Sequence, residues 1–395
     1  MTVGASWKEV TLEDHVDLVV GYAFKSSGYT DDESDVRLLR GDNVAQGELR
    51  WDKAKRWPVA DYQRYEAFHL REGDIILAMD RPWISAGLKY ARVKRKDTPS
   101  LLVQRVARLR GTESLKTDYL RCVIGSADFT DYVLSILTGV NIPHISAKDI
   151  KRFRFLLPPV ATQERISRVI TSYDDLIENN TRRIEILEEM ARRLYEEWFV
   201  QFRFPGHEGV KFKESELGLI PQGWQLLRLG DCVELAYGKA LKAQDRVPGD
   251  YPVYGSSGVV GTHCESLVDG PGIIVGRKGN VGSVFWSDVS FFPIDTTYYV
   301  RSDVPLSYLY FNLQRQRFLN NDAAVPGLNR EQAYALPFLL PDKDLLSRFS
   351  SEWESFYGLL QRLGRANVNL RAQRDLLLPK LISGEIDVSD IPMPT

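Results

Sequence analysis

Two loops of the sequence combine glycine with basic or amide side chains, which are residue types that contact nucleic acids. MDRPWISAGLK (79–89) follows the apolar segment DIILA, and GRKGNVGSVFW (276–286) follows PGIIV. Glycine lets the backbone approach phosphate closely, arginine and lysine bond guanine, and asparagine bonds adenine. The predicted contacts in these loops are Arg81, Lys89, Arg277, Lys278 and Asn280. The alternative interpretation is a pair of plain hairpin turns whose charges are solvated.

Further predicted contacts follow the matched glycines Gly21 and Gly238, in FKSSGY (24–29) and KALKAQDR (239–246). They are Lys25, Ser26, Lys239 and Lys242. Lys94 and Arg95 complete the set; they belong to a stretch from Arg81 to Arg110 in which nine basic residues meet only one acidic residue, Asp97. Such segregation is typical of a phosphate-binding surface, or of the solvated side of strands. A third pair of loops is VNIPHIS (140–146) and VPGLNR (325–330), where we expect His144 to be structural.

Residues for catalysis do not form a recognisable motif. No NPPY or DPPY tetrapeptide and no Glu-x-Lys or Gln-x-Lys tripeptide occurs, and GRKGNVG lacks the GK[ST] ending of a phosphate-binding loop. His263 precedes Cys264 without a second ligand pair at a zinc spacing. The sequence therefore predicts neither an enzyme nor a metal site.

Bulk composition is that of a globular protein rather than a strongly basic one. The net charge is −2, and 44% of the 395 residues are apolar, which is enough for two or three domains. Three scattered cysteines fit reduced thiols. Because the first residues carry no apolar signal region and no membrane-length apolar run occurs, we expect a cytoplasmic protein.

The tetrapeptide FLLP occurs twice, at 155–158 and 338–341, and the repetition extends in both directions. At the same offset of 183 positions, Leu194 matches Leu377. Near the start, WKEVTLEDHVDLVVGYAFK (7–25) aligns with WQLLRLGDCVELAYGKALK (224–242) at an offset of 217. Two matches in the same order favour two tandem copies of one plan, each with a variable middle.

The first part of each copy is predicted to be a mixed α/β domain. VGYAF, DIILAM, SLLVQRVARL and FRFLLP are typical of short strands in the first copy, as are PGIIVGR, GSVFW and DTTYYVR in the second. Helical patterns such as LKTDYLRCVIG and SYLYFNLQRQRFLN lie between them.

The second part of each copy is predicted to be one long helix. From Ile166 to Trp198 the seam residues alternate spacings of four and three, and adding 183 reproduces the seam with three polar exceptions across the pair: Asn180, Asn367 and Arg374. A helix of some 40 residues spans about 60 Å and cannot bury such a seam alone. We expect the helices to pair antiparallel, with Asn180 facing Asn367 and fixing the register. The alternative leaves each asparagine at a loose, hydrated position.

The predicted fold class is α+β: two mixed α/β domains joined by two long helices that form an antiparallel intramolecular coiled coil, with a pseudo-twofold internal repeat. The predicted boundaries are 1–158 for the first domain, 159–204 for the first helix, 205–223 for a linker, 224–341 for the second domain, 342–384 for the second helix and 385–395 for a tail.

Three stretches resemble the specificity (S) subunit of type I restriction-modification systems: EWFVQFRFPGHE (197–208), SELGLIPQGWQLLRLGD (215–231) and LLLPKLISGEIDV (376–388). The resemblance implies two target-recognition domains, each reading one half of a bipartite, asymmetric DNA sequence, with the helices as a spacer. It also implies two modification (methyltransferase) subunits as partners, with restriction subunits in the full complex. S-adenosylmethionine, ATP and magnesium would belong to those partners, and this chain would bind no cofactor.

Two alternatives stay open from the sequence. One is a specificity subunit of a methylation-only or fused system. The other is a coiled-coil scaffold whose globular ends bind protein. The salt dependence of DNA binding separates the scaffold from a DNA reader, because phosphate contacts weaken steeply as salt rises.

Overall fold

The chain divides into two units in the computed structural model, which describes residues 7–84, 87–137, 143–318, 327–389 and 391. Unit 1 comprises Met1–Asn180 with Ala366–Thr395, and unit 2 comprises Thr181–Arg365. Each unit therefore contains one mixed α/β part and one segment from each of two long helices.

Unit 1 is built on a four-stranded antiparallel sheet in the order β2-β10-β5-β8. All four residues of its strand IILA are buried, since both faces of the sheet are covered. A second sheet, β4-β3-β9, has an antiparallel and a parallel pair. The strands are β1 Lys8–Thr11, β2 Val16–Val20, β3 Val36–Leu39, β4 Arg56–Trp57, β5 Ile75–Ala78, β6 Trp83–Ile84, β7 Gly87–Leu88, β8 Tyr90–Arg92, β9 Ser100–Leu102, β10 Val106–Gly111 and β11 Arg154–Leu157.

Three short helices cover the main sheet of unit 1: α1 Thr117–Ile124, α2 Ala127–Leu137 and α3 Ala147–Lys151. Ser146 caps α3, because its side chain accepts a hydrogen bond from the Asp149 amide. The first FLLP supplies strand β11, which pairs with β1 so that Lys8 faces Leu157. The opening residues of the unit are thus tied to its exit strand.

Unit 2 repeats this arrangement with its own strands. Its main sheet has the order β15-β21-β18-β19, and its second sheet, β17-β16-β20, again has an antiparallel and a parallel pair. The strands are β12 Phe212–Ser215, β13 Gly218–Pro221, β14 Gln225–Arg228, β15 Glu234–Tyr237, β16 Tyr251–Gly255, β17 Gly258–His263, β18 Gly272–Gly276, β19 Val284–Ser287, β20 Phe292–Pro293, β21 Thr297–Arg301 and β22 Pro337–Leu340. The helices are α5 Leu229–Cys232, α6 Leu306–Arg315 and α7 Arg330–Tyr334, and Asn329 caps α7.

Strand pairing in the two units agrees with the two sequence offsets. In unit 2 the second FLLP supplies β22, which pairs with β14 so that Gln225 faces Leu340. Gln225 and Leu340 lie 217 and 183 positions after Lys8 and Leu157, which face each other in unit 1. One offset therefore describes the strand that enters each unit, and the other describes the strand that leaves it.

Two long helices supply the remaining structure: α4 is Val160–Tyr195, continued by a π-helical turn at Glu196–Val200, and α8 is Lys343–Ile382. Within unit 1 they run in opposite directions, because Asp174 bonds Arg374 at 2.7 Å and Asn180 bonds Asn367 at 3.0 Å. Within unit 2, Trp198 packs against Phe349 with ring centroids 6.0 Å apart.

The predicted strand VGYAF is wrong in its extent. Strand β2 ends at Val20, before the glycine. A Cβ on Gly21 would lie 2.3 Å from the carbonyl oxygen of Val103, so the chain turns across a neighbouring backbone there. The matched Gly238 has the same role, since its Cβ would lie 2.2 Å from the carbonyl oxygen of Ile294. Among the helices of the described part, none has the length and hydropathy that crossing a lipid bilayer requires.

Candidate nucleic-acid interface

Four segments meet at one end of the main sheet of unit 2, and we call this surface loop end 2: residues 237–239, 277–282, 294–296 and 327–330. Backbone hydrogen bonds join them, from Lys239 N to Pro293 O at 3.0 Å and from Arg277 N to Thr296 O at 2.8 Å. Leu328 N also donates to Arg277 O at 2.8 Å. The glycine-rich loop predicted from the sequence is therefore held next to the Gly238 turn.

Two guanidinium groups contact the ring of Tyr237 at loop end 2. The Cζ atoms of Arg277 and Arg330 are 4.9 Å and 5.1 Å from its centroid. Arg277 also lies over Tyr298 at 5.8 Å and donates from Nη1 to the carbonyl oxygen of Asp295 at 2.9 Å. Burial raises the pKa of Tyr298 to about 12, so this phenol stays neutral beside the arginine.

The other predicted residues of unit 2 differ in their exposure to solvent. Lys239 and Lys242 are exposed, and Lys242 is the N-cap residue of a 3-10 turn, Ala243–Asp245. Lys278 is half-buried. Asn280 is exposed and donates from Nδ2 to the Ser257 hydroxyl at 3.2 Å, which joins the loop to the β16–β17 turn.

The corresponding surface of unit 1, loop end 1, consists of residues 21–24, 79–82, 103–105 and 143–145. Met79 N donates to Arg105 O at 2.9 Å, and Ile145 N donates to Met79 O at 2.9 Å. The Asp80 carboxylate accepts from Arg105 Nη1 at 2.8 Å and lies 2.6 Å from His144 Nδ1. Despite partial burial, which acts to raise it, the pKa of Asp80 is lowered by these two partners. His144 thus has a hydrogen-bonding partner in the fold.

The predicted residues of unit 1 are partly exposed and partly engaged. Lys25 and Ser26 are exposed, and Lys25 is the N-cap residue of the 3-10 turn Ser26–Gly28, as Lys242 is in unit 2. Arg81 is exposed, with a positive φ of 43°. Lys89 is half-buried and donates from Nζ to the carbonyl oxygen of Gly41 at 2.5 Å, and burial lowers its pKa.

The basic stretch 81–110 is largely neutralised by acidic residues distant in sequence. The pairs are Arg92–Asp118, Lys94–Glu178, Arg108–Asp17 and Arg110–Asp74. The side-chain hydrogen bond that Arg110 donates to Asp74 raises the pKa of Arg110. Arg95 stays exposed. The stretch therefore contributes less positive surface than its sequence suggests, and Lys94 reaches the interface only if its ion pair opens.

Equivalent hydrogen bonds show which residues of the two glycine-rich loops correspond. Ile145 N bonds Met79 O in unit 1, and Leu328 N bonds Arg277 O in unit 2, so Arg277 corresponds to Met79 rather than to Arg81. Isolated bridges pair Asp80 with His144 and Lys278 with Gly327. Asp80 and Lys278 are therefore equivalent positions with opposite charge.

Sequence reasoning missed three residues of these surfaces: Tyr237, Arg330 and Arg105. Arg330 ends the segment VPGLNR, of which Val325 and Pro326 lie outside the described residues, as do Ser85 and Ala86 of the first loop. Tyr237 directly precedes the matched glycine, and this position was a signal that could have found it. In the described ranges, no group of three or more His, Cys, Asp or Glu residues could hold a metal ion. Buried His263 accepts a hydrogen bond from Val247 N at 3.1 Å.

Comparison with known proteins identifies the family. The model of the type I restriction modification DNA specificity domain matches residues 5–189 and 221–344. The specificity subunit of type I restriction enzyme EcoAI from Escherichia coli is 35% identical over 175 residues, covering 44% of this chain and 28% of that protein. The MjaVIII specificity subunit of Methanocaldococcus jannaschii is 29% identical over 189 residues, covering 48% and 44%. The matched region thus spans less than half the length of either relative.

A solved structure shows the same fold. The S subunit of a type I restriction-modification system from M. genitalium aligns with a TM-score of 0.56 and 16% identity, covering 95% of this chain and 96% of that one. Because the family model matches one segment in each half and together these span well over half of the sequence, the chain belongs to the type I restriction modification DNA specificity domain family.

Proposed function

We propose that this protein is the DNA-specificity subunit of a type I restriction-modification complex. Each α/β domain reads one half of a bipartite, asymmetric target in double-stranded DNA. The observation that carries this proposal is one scaffold with two different loop ends. The main sheets share one strand order, whereas equivalent loop positions hold Asp80 in one unit and Lys278 in the other. Because the two domains have the same scaffold, their loop ends approach DNA in the same way. Because the side chains at the loop ends differ, the two domains read different bases.

Exposed basic and amide side chains at the loop ends make the contacts. Lysines contact phosphate, which positions the protein, and arginine or asparagine contacts base edges, which specifies sequence. Exposure supports this role for Lys25, Ser26, Arg81, Arg95, Lys239, Lys242 and Asn280. Three other predicted contacts already have partners in the fold: Lys89, Lys94 and Arg277. We propose that they contact DNA from these positions.

The long helices form an antiparallel intramolecular coiled coil that joins the two copies of the repeat and sets the distance between the half-sites. Opposite helix directions and the Asn180–Asn367 hydrogen bond in unit 1 support this assignment. The coiled coil also docks two methyltransferase subunits, and restriction subunits join in the full complex. This cytoplasmic chain carries out no chemistry of its own; S-adenosylmethionine, ATP and magnesium act on the partner subunits.

The test is single-molecule sequencing of DNA from cells that express this chain with its methyltransferase. We expect methylation at a two-part, non-palindromic motif with a gap of fixed length, because the two loop ends differ. A palindromic motif, or methylation that does not depend on this chain, would contradict the proposal. A protein-binding scaffold would leave the DNA unmethylated at any defined motif.

A further inference from the structure

Two arginines contact the exposed side chain of Tyr237. The guanidinium carbons of Arg277 and Arg330 lie 4.9 Å and 5.1 Å from the ring centroid, and 49% of Tyr237 is exposed. Cation–π attraction favours each contact. The two positive charges beside one ring still repel each other. A ligand with negative charge or hydrogen-bond acceptors would therefore stabilise the two arginines.

The framework around this group is fixed. Tyr237 packs against Tyr298 with centroids 5.0 Å apart, and Arg277 is anchored by the Asp295 carbonyl oxygen. Arg330 also lies over Tyr334, whose hydroxyl accepts a hydrogen bond from Leu235 N at 2.9 Å. Little side-chain entropy is lost when such a preorganised guanidinium binds a ligand.

The charge of the group is uncompensated. In the residues that the structure describes, neither Arg277 nor Arg330 forms an ion pair with a carboxylate, and the Arg330 guanidinium has no hydrogen-bond acceptor. Arg301 provides the contrast. It lies 5.1 Å from the Tyr299 centroid, but it pairs with Glu234 at 3.6 Å, at the opposite end of strand β15.

We propose that Arg330, held on Tyr237 beside Arg277, reads a guanine in the half-site bound by unit 2. This inference rests on the proposed function. The guanidinium of arginine has a planar fork of donors, which matches the O6 and N7 acceptors of guanine in the major groove. The flexible lysines of the same loop end, Lys239 and Lys278, suit phosphate instead.

Unit 1 lacks a tyrosine with two arginines at these positions. The positions equivalent to Tyr237, Arg277 and Arg330 are Val20, Met79 and Ala147, none of which can donate a side-chain hydrogen bond. Substitutions in the group should therefore alter one half-site and leave the other unchanged.

The experiment compares methylated motifs in cells that express the methyltransferase with the wild-type chain, Arg330→Gln, Arg330→Lys or Tyr237→Ala. We expect Arg330→Gln to reduce the preference for guanine at one position about 10-fold or more, the discrimination of a bidentate contact. Arg330→Lys keeps the positive charge but loses the planar, two-donor guanidinium, so it should relax the preference at the same position. Tyr237→Ala should affect the same half-site.

Arg301→Gln is the matched control, since it removes a stacked arginine at the other end of the sheet, and its motif should stay that of the wild type. An unchanged motif in both Arg330 variants would overturn the inference. So would uniformly weaker methylation of all sites, which indicates a phosphate contact. A wild-type motif without two parts would instead overturn the proposed function.

Discussion

Asn180 donates a 3.0 Å hydrogen bond from Nδ2 to Oδ1 of Asn367, at a seam position where apolar residues precede and follow. Asn367 is buried and also donates to the carbonyl oxygen of Ile177 at 3.3 Å. The seam thus contains a polar pair that satisfies itself in one register. A slip of either helix by one heptad would place an amide opposite an apolar side chain, with no partner.

The two asparagines should therefore be strongly coupled in stability. Asn180→Leu alone should lower the free energy of unfolding by about 1–3 kcal/mol, because the buried Oδ1 of Asn367 loses the donor that it has in the wild-type chain. Asn180→Leu with Asn367→Leu should be close to neutral or stabilising, since two apolar groups replace the bonded pair. Urea unfolding followed by circular dichroism measures both values.

Val368→Ala is the control for this double-mutant cycle, because Val368 is exposed and adjacent to Asn367. Its effect should stay within about 0.5 kcal/mol. If the two leucine substitutions destabilise additively, the asparagines are independent and the pair does not fix the register.

At the scale of elements, each unit attaches its α/β part to the helices differently. In unit 1, Asp174 of α4 bonds Arg121 of α1 and Arg374 of α8 together. In unit 2, Tyr357 is equivalent to Asp174, and Ala191 is equivalent to Arg374. The Tyr357 hydroxyl accepts a hydrogen bond from Trp286 Nε1 at 2.7 Å. Arg374, one of the two polar exceptions in the second seam, is thereby explained: it bonds Asp174 across the helix pair.

Removing the shared carboxylate should loosen unit 1. Asp174→Ala leaves the partly buried Arg121 without a counter-charge and leaves Arg374 with Asp375 alone, so the free energy of unfolding should fall by about 2–4 kcal/mol. This lies toward the low side of the range for a buried pair because a quarter of the Asp174 side chain is exposed. Thermal and urea unfolding of the whole chain provide the measurement.

Glu189→Ala is the control, because it shows how much stability is lost when a solvent-exposed carboxylate on α4 is removed. Glu189 pairs with Arg192 and Arg193 on the same helix, and such solvent-exposed pairs contribute little to stability. An equal loss in both variants would mean that Asp174 acts only through helix propensity.

Periodic elements were predictable from the sequence, and contacts between distant residues were not. Heptad spacing located both long helices, and the repeated FLLP located both exit strands, because each is a local pattern. The end of β2 at Val20 was missed, since it depends on the Val103 carbonyl oxygen lying against Gly21. Arg108 was read as a free charge because its partner, Asp17, lies 91 positions earlier.

The surfaces were predicted less well than the scaffold for a related reason. The glycines at the loop ends fix the backbone, so Gly21 and Gly238 carry a readable signal in both copies. Other side chains at the loop ends vary between the copies, as Asp80 and Lys278 show, and a variable position offers no internal match. Tyr237 and Arg330 became recognisable only once folding had brought them together.

For the whole molecule, the proposed function requires that the two long helices pair along their length and set the gap between two half-sites. Removing residues 181–187 and 360–366 together deletes one heptad from each helix and keeps the seam in phase, with Asn180 and Asn367 retained. The deletion shortens each helix by about 10.5 Å, or roughly three base pairs of DNA.

The measurement is the gap in the methylated motif of this double deletion beside that of the wild-type chain, both expressed with the same methyltransferase. If methylation is lost, the gap is read from DNA sequences selected by the purified complex. We predict the same two half-sites separated by a gap about three base pairs shorter, in proportion to the helix length removed. Unchanged spacing with both half-sites still recognised would contradict the account.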